Sequence, residues 1–278
     1  MPFVSTRGGR LYYEVHDLTA PWVERPAAIV FHHGAAANLH AWNEWLPHFC
    51  QGYRLVVFDA RGCGRSTVPG PGFEWSMEQL AADVLDVALA AGANRFHFVG
   101  EGLGGTLGLQ LAVKYGDRPL TVSAASCSAR SGIARQAADW RGLIEAEGQR
   151  GWAEQMMSWR FFPDALAPAQ RDWWLRQHAG CNAHAALVMN DIAAETDLTP
   201  YLPEIRVPVL LLCPDASPFV PPSHMAEIQA AIPGAEMQVF AHARHGLVTS
   251  HASACAQVVS AFIARNFSRA KADLPVII

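Results

Sequence analysis

Short continuous hydrophobic runs alternate along the chain with longer stretches in which hydrophobic residues recur every three or four positions. Apolar runs of four to eight residues predict strands that are buried on both faces of a sheet, and the longer periodic stretches predict helices. Strands that alternate with helices indicate a mostly parallel sheet covered on both faces. The predicted strands after an opening hairpin at 2–16 are 27–31, 54–58, 96–100, 120–125, 207–212 and 236–240. The predicted helices include an aromatic helix with Trp42 and Trp45 after the strand at 27–31, and helices at 76–91, 223–231 and 252–266.

The alternation of strands and helices stops after residue 131 and resumes after residue 200. Residues 132–200 show helical patterns only and carry Trp140, Trp152, Trp159, Trp173 and Trp174. A helical segment inserted between two strands of a sheet predicts a lid over one end of that sheet. We therefore expect a first core part at 1–131, a helical lid at 132–200 and a second core part at 201–278.

Composition excludes several classes of function. The 278 residues are 51% hydrophobic and 17% charged, which is typical of a globular domain, and a net charge of −4 provides no basic surface for nucleic acid. The apolar runs are shorter than the roughly 20 residues that span a bilayer, and the N-terminal stretch lacks a signal-peptide core, so we expect a cytoplasmic protein without a membrane partner. The six cysteines show no CxxC spacing, which gives no metal site. Basic residues are nearly all Arg, which indicates a bacterial source. The sequence leaves open whether the protein forms a homodimer.

Four motifs follow four of the predicted strands. His33-Gly34 comes after the strand at 27–31, and Asp59-x-Arg61-Gly62-x-Gly64 comes after the strand at 54–58. The strand at 96–100 runs into Gly100-Glu101-Gly102-Leu103-Gly104 and then into a helical pattern, which is the strand, sharp turn and helix of a nucleophile elbow. A late histidine lies in Ala243-Arg244-His245-Gly246.

The order of these motifs resembles the α/β-hydrolase fold over nearly the whole chain. The resemblance implies a mostly parallel, eight-stranded sheet flanked by helices, with an inserted helical lid and no cofactor. Within that superfamily the segments 159–163 and 191–198 make the lid similar to that of the 3-oxoadipate enol-lactonase branch, whose members open small enol-lactones that carry carboxylates. The resemblance to this branch therefore implies a small-molecule substrate.

The resemblance also assigns roles to residues. Gly102 occupies the position of the nucleophilic serine, and His245 falls where the family has its base. The oxyanion hole is expected from the N–H of Leu103 and an N–H of the Ala35-Ala36 loop. Ser217 occupies the place of the family's acid, and the nearby Asp215 is predicted either to orient His245 from two residues earlier or to cap its loop. His32, Trp159, Phe162 and Ser217 are expected to line the substrate pocket.

A glycine at the nucleophile position leaves three interpretations open. It is an engineered change from Ser in a hydrolase, or it marks natural divergence to a cofactor-free lyase, isomerase or direct hydrolase that uses His245 as base. Alternatively, the scaffold binds without catalysis, like the similar N-myc downstream-regulated proteins with Gly at the elbow. Because the rest of the scaffold is intact, hydrolysis of a small ester, lactone or other carbonyl compound is our first expectation.

Overall fold

The structure of the protein is a computed structural model that describes residues 3–23, 26–133 and 139–272. Eight strands form one twisted sheet at its centre. The strand order is β1-β2-β4-β3-β5-β6-β7-β8. The strands are β1 (Phe3–Thr6), β2 (Gly9–His16), β3 (Ala28–His32), β4 (Arg54–Phe58), β5 (Phe96–Glu101), β6 (Pro119–Ala125), β7 (Val209–Pro214) and β8 (Glu236–Phe240).

Among the strand pairings of the described residues, two are antiparallel and the others are parallel. β1 pairs with β2 and β2 with β4 in antiparallel register, and every later pairing is parallel. The residues of β3 and β7 are all buried, which explains why these strands are continuous hydrophobic runs in the sequence. The predicted fold class, a mostly parallel eight-stranded sheet flanked by helices, is confirmed.

Helices cover both faces of this sheet and enclose two hydrophobic core clusters, one on each face. Ser76 caps the first helix, because its hydroxyl accepts a hydrogen bond from the Gln79 amide at 3.1 Å. The helices are α1 (Met77–Ala90), α2 (Leu103–Lys114), α3 (Trp140–Arg160), α4 (Pro168–Gly180), α5 (Ala183–Glu195), α6 (Pro222–Ala231), α7 (Leu247–Ser250) and α8 (Ala252–Ala272).

The segment with Trp42 and Trp45 differs from the single helix that its pattern suggests. It forms two short 3-10 helices, Leu39–Trp42 and Leu46–His48. Pro47 has no N–H to continue a helical ladder, and both indole rings are fully buried against Phe31, so tertiary packing fixes this segment. The last helix also continues beyond residue 266, to Ala272.

Helices α3, α4 and α5 lie between β6 and β7, in the segment that the sequence predicts as a lid. α3 contains a kink at Gly148, whose φ of 69° is outside the helical range. Within the described part of the chain, no helix is both long and apolar enough to cross a membrane. The same residues contain no group of three or more His, Cys, Asp or Glu side chains arranged to hold a metal ion.

Candidate active site

A sharp turn joins β5 to α2 and carries Gly102 at its centre. Gly102 has φ 58° and ψ −118°, a backbone conformation that residues with a Cβ adopt only under strain. The glycines two residues before and after it permit the turn, because a Cβ on Gly100 would lie 2.2 Å from the carbonyl oxygen of Gly104. A Cβ on Gly102 itself would lie 3.2 Å from Nε2 of His245. The elbow geometry therefore persists without the nucleophilic side chain.

The loop after β3 provides the backbone next to this turn, and His33 fixes its path. The ring nitrogens of His33 lie 2.8 Å from the Gly34 carbonyl oxygen and 2.9 Å from the Ala60 amide nitrogen. Ala35 lines the cavity beside Gly102. Ala36, at φ 61°, is buried and is absent from the described lining of that cavity. Of the two predicted alanines, Ala35 is thus the one that faces the cavity.

Leu103 is the first residue of α2 and lies on the other side of the same cavity. The first amides of a helix have no partner inside the helix. None of the hydrogen bonds described for residues 3–23, 26–133 and 139–272 uses the amide of Leu103 or of Ala35. These two N–H groups are therefore available to an oxygen atom bound in the cavity.

His245 lies opposite the elbow, in the loop between β8 and α7. Its carbonyl oxygen accepts a hydrogen bond from the Ser126 hydroxyl at 2.8 Å, and its ring packs edge-on against Phe219 with 4.7 Å between ring centroids. Burial lowers the pKa of His245 to about 3, and the nearby charge of Arg160 contributes in the same direction. The imidazole is therefore neutral at neutral pH.

Ser217, rather than Asp215, lies against the imidazole. The Ser217 hydroxyl oxygen is 3.3 Å from Nδ1 of His245. Asp215 accepts hydrogen bonds from the backbone amides of His242 and Ala243, each at 2.9 Å, and these bonds lower the pKa of its carboxyl group. Asp215 therefore caps the backbone of the loop between β8 and α7 that carries His245, which we call the histidine loop. Of the two roles predicted for Asp215, this is the capping of a loop.

A largely apolar cavity of about 50 Å3 opens at Gly102. Its far wall comes from the helices between β6 and β7. The elbow side contributes the predicted residues Gly102, Leu103, Ala35 and His245, and the remaining lining includes Trp140, Met156, Met189, Asn190, Ala193, Phe219, Val220, Ser126, Ser128, Thr106 and Arg160. The lining favours a small, largely apolar ligand with few polar groups.

The other predicted pocket residues lie outside this lining, as far as the described residues define it. His32 is buried behind the elbow, with Nδ1 2.7 Å from the His33 carbonyl oxygen. Trp159 packs against Phe219 and so reaches His245 only through that ring. Phe162 stacks on His242 with 4.2 Å between centroids, on the outer side of the histidine loop. Ser217 lies behind His245 and contacts it from the side opposite the cavity lining.

Sequence reasoning did not select Arg160, although this residue joins three parts of the site. Its Nη2 lies 2.6 and 2.8 Å from the two carboxylate oxygens of Glu101, and both side chains are buried. Its carbonyl oxygen accepts a hydrogen bond from the Gly246 amide at 3.0 Å. A lone Arg between Trp159 and Phe161 was the available signal, because an Arg inside an apolar helical stretch needs a buried partner.

Buried thiols do not replace the missing nucleophile. Cys127 lies near the elbow, but burial raises the pKa of its thiol to about 12, and burial also raises that of Cys213 to about 11. The thiolate is the reactive form of cysteine, so both groups are inert near neutral pH. No cysteine contributes to the described lining of the cavity.

Comparisons with known proteins agree with this geometry. The family model described as alpha/beta hydrolase fold matches residues 27–188. A protein named "Putative carbamate hydrolase RutD" from Stutzerimonas stutzeri is 26% identical over 259 residues, which cover 90% of this chain and 95% of that protein.

Two solved structures are similar over nearly their whole length. A hydrolase from Pseudomonas aeruginosa PA01 superposes with a TM-score of 0.83 at 26% identity, covering 94% of this chain and 97% of that chain. The enol-lactonase from Burkholderia xenovorans LB400 superposes with a TM-score of 0.86 at 24% identity, covering 95% of this chain and 100% of that chain, and this likeness shows the shared fold. With more than half of its length matched by the family model, the chain belongs to the alpha/beta hydrolase fold family.

Proposed function

We propose that this protein is an enzyme that hydrolyses a small ester, lactone or related carbonyl compound, with water in place of a nucleophilic side chain. One observation carries the proposal. The donor groups of Leu103 and Ala35, the vacated position at Gly102 and the ring of His245 all border one apolar cavity. Donors that stabilise a developing oxyanion commonly supply the largest single contribution to catalysis of acyl transfer.

In this proposal the carbonyl oxygen of the substrate accepts hydrogen bonds from the amides of Leu103 and Ala35. No side-chain oxygen is present at Gly102, so a water molecule occupies the space of the missing group and attacks the carbonyl carbon. As the attacking water bonds to the carbonyl carbon, it releases one proton to a neighbouring water molecule. The carbon–oxygen bond to the leaving group breaks as the tetrahedral intermediate collapses, and the leaving oxygen takes up that proton through water. No covalent enzyme intermediate forms. The carbamate hydrolase and enol-lactonase names of two similar proteins support a carbonyl substrate for this chain.

The runner-up function is ligand binding without turnover. Two observations favour it: the elbow has no nucleophile, and a hydroxyl rather than a carboxylate lies against Nδ1 of His245. A lyase or isomerase that uses His245 as its base is less well supported, because a hydroxyl and not a carboxylate lies against Nδ1, so the imidazolium ion formed by proton abstraction would lack a stabilising counter-charge there.

Turnover of aryl esters and lactones by four proteins tests the proposal. They are the native chain, Gly102→Ala, Gly102→Ser, and the double variant Gly102→Ser with Ser217→Asp. We expect weak hydrolysis by the native chain. The double variant should be about 10²- to 10⁴-fold faster, because it regains a nucleophile, a base and an acid to orient that base. Gly102→Ser alone should gain much less, because a serine hydroxyl does not stabilise an imidazolium ion as a carboxylate does.

Gly102→Ala is the matched control, since it adds the Cβ of serine without its oxygen. It should hydrolyse no faster than the native chain. An inactive native chain together with an active double variant would favour the binding function on an intact scaffold. If both stay inactive across the panel, the site does not hold carbonyl compounds in a reactive position, and the proposal fails.

A further inference from the structure

The Ser217 hydroxyl makes more contacts than one kind of hydrogen bond can satisfy. Its oxygen accepts from the backbone amides of Phe219 at 3.3 Å and Val220 at 3.2 Å, and it also lies 3.3 Å from Nδ1 of His245. A hydroxyl group has two lone pairs that accept and one hydrogen that it donates. Backbone amides only donate, so the two amides occupy both lone pairs. The hydrogen of Ser217 is then left for Nδ1.

A neutral imidazole carries its proton on one ring nitrogen, and the hydrogen bond at the other nitrogen decides which one. If Nδ1 of His245 accepts from Ser217, the proton resides on Nε2. Nε2 is the nitrogen that faces the elbow, 3.2 Å from the position of a Cβ on Gly102. A carboxylate in place of Ser217 would impose the opposite arrangement, because a carboxylate accepts only and so requires the proton on Nδ1.

We propose that Ser217 fixes His245 in the Nε2–H form, so that the imidazole donates a hydrogen bond into the cavity and the pocket selects ligands with a carbonyl or carboxylate oxygen. Ser217 is then a positioning residue that acts through His245. This inference deepens the proposed function, and it rests on the same cavity. His245, predicted from sequence as a base, becomes a third donor beside the amides of Leu103 and Ala35.

The remaining polar groups of the cavity fit a ligand that accepts hydrogen bonds. Asn190 lines the cavity, and its side-chain amide carries two N–H donors and one acceptor oxygen. The charge of Arg160 is balanced by Glu101, which leaves the pocket without a free carboxylate in the described lining. No carboxylate of the described lining therefore competes with an acceptor oxygen of the ligand for the N–H groups at the site. Catalysis in this arrangement comes from stabilising an oxyanion, and attack by water proceeds without a side-chain base.

Nuclear magnetic resonance of 15N-histidine-labelled protein at pH 7 tests the tautomer directly. We expect protonated Nε2 and unprotonated Nδ1 for His245 in the native chain, with the signal assigned from its loss in His245→Gln. In Ser217→Asp the proton should move to Nδ1. His33 is the internal control, since its Nδ1 faces a carbonyl oxygen and its Nε2 faces an amide, which requires the Nδ1–H form in every variant.

A proton on Nδ1 of His245 in the native chain would overturn the inference, and this result needs His245→Gln for the assignment but does not need Ser217→Asp to fold. The same tautomer in the native chain and in a folded Ser217→Asp variant would also overturn it. Benzoate is the ligand probe, with toluene as the matched molecule that lacks an acceptor. Benzoate should shift the Nε2–H resonance of His245 and toluene should not; no shift up to about 20 mM benzoate, near the weak end of specific binding, would contradict the donor role.

These measurements involve no turnover, so they separate this inference from the proposed function. An Nε2–H tautomer in a protein that hydrolyses nothing would support the inference and remove the proposed function. Hydrolysis by a native chain with the Nδ1–H tautomer would do the reverse.

Discussion

A single residue, Gly102, sits in a backbone conformation that the fold imposes and that glycine tolerates best. The turn is held by the bond from the Gly102 amide to the Ala125 carbonyl oxygen at 2.9 Å and by the close approach of Gly100 to Gly104. The family places a serine at this position at the cost of backbone strain. In this chain the strain is absent along with the nucleophile.

We therefore predict that Gly102→Ala destabilises the protein by about 1–3 kcal/mol, the usual cost of a left-handed non-glycine residue held by its surroundings. The new Cβ also approaches His245 Nε2. The free energy of unfolding from urea titrations measures the effect. Gly52→Ala is the matched control, because a Cβ there meets nothing within 4 Å and its φ is not positive, so it should change stability by less than about 1 kcal/mol. Equal effects of the two changes would contradict the argument.

At the scale of elements, Arg160 at the end of α3 ties the helical segment to the elbow and to the histidine loop. Its side chain pairs with Glu101 at the end of β5, and its carbonyl oxygen binds the Gly246 amide. The guanidinium also lies 5.4 Å from the ring centroid of Trp174 in α4. Buried charges require such a partner, so the position of α3 and the shape of the elbow depend on each other.

Arg160→Met should lower the free energy of unfolding by about 3–5 kcal/mol, because Glu101 is left buried without a counter-charge. The double variant Arg160→Met with Glu101→Gln should recover part of that loss, since no charge is then buried. Urea unfolding of the two variants measures this coupling. A double variant no more stable than Arg160→Met would show that the pair does not act through charge.

Arg150→Met is the matched control from the same helix. Arg150 pairs with Glu154 at 3.2 Å, but both side chains are more than half exposed, and exposed pairs contribute about 0–1 kcal/mol. We expect a change within that range. A loss as large as that for Arg160→Met would mean that the effect comes from α3 itself and not from the buried pair.

Across the whole molecule, several histidines are buried in the neutral form. His32, His33, His97 and His178 are each 2% exposed or less. Burial lowers the pKa of His32 and His178 to about 3 and that of His33 and His97 to about 4. The unfolded chain titrates near pH 6.5, so it takes up protons before the folded protein does.

The stability of the protein should therefore fall as the pH drops below about 6.5. A histidine whose folded pKa is lowered stabilises the protein fully above pH 6.5, and each such group loses up to about 1.4 kcal/mol per pH unit below it, down to the folded pKa near 3–4. Urea unfolding at pH 7.5, 6.5 and 5.5 checks the slope. His97→Gln should make the slope of the free energy of unfolding against pH shallower, because unfolding then takes up one proton fewer. A stability that stays constant from pH 7.5 to 5.5 would contradict the prediction.

The sequence by itself determined the order of the strands and helices and the position of the elbow. Both depend on local rules: apolar runs between turn residues form buried strands, and the spacing of Gly100, Gly102 and Gly104 permits one kind of turn. His245 was placed at the base position only by the resemblance to the family, which these local rules do not supply. They failed at Trp42 and Trp45, where packing against Phe31 overrides the helical pattern.

Only the tertiary structure decided which side chains meet across the site. Ser217 and Asp215 are two residues apart, and the path of one loop places the hydroxyl at Nδ1 of His245 and the carboxylate on the backbone. Arg160 forms an ion pair with Glu101, which lies 59 residues earlier in the sequence. Such contacts join positions that are distant in the chain, so packing fixes them and no local pattern encodes them. The donor-rich site that we propose depends on those contacts.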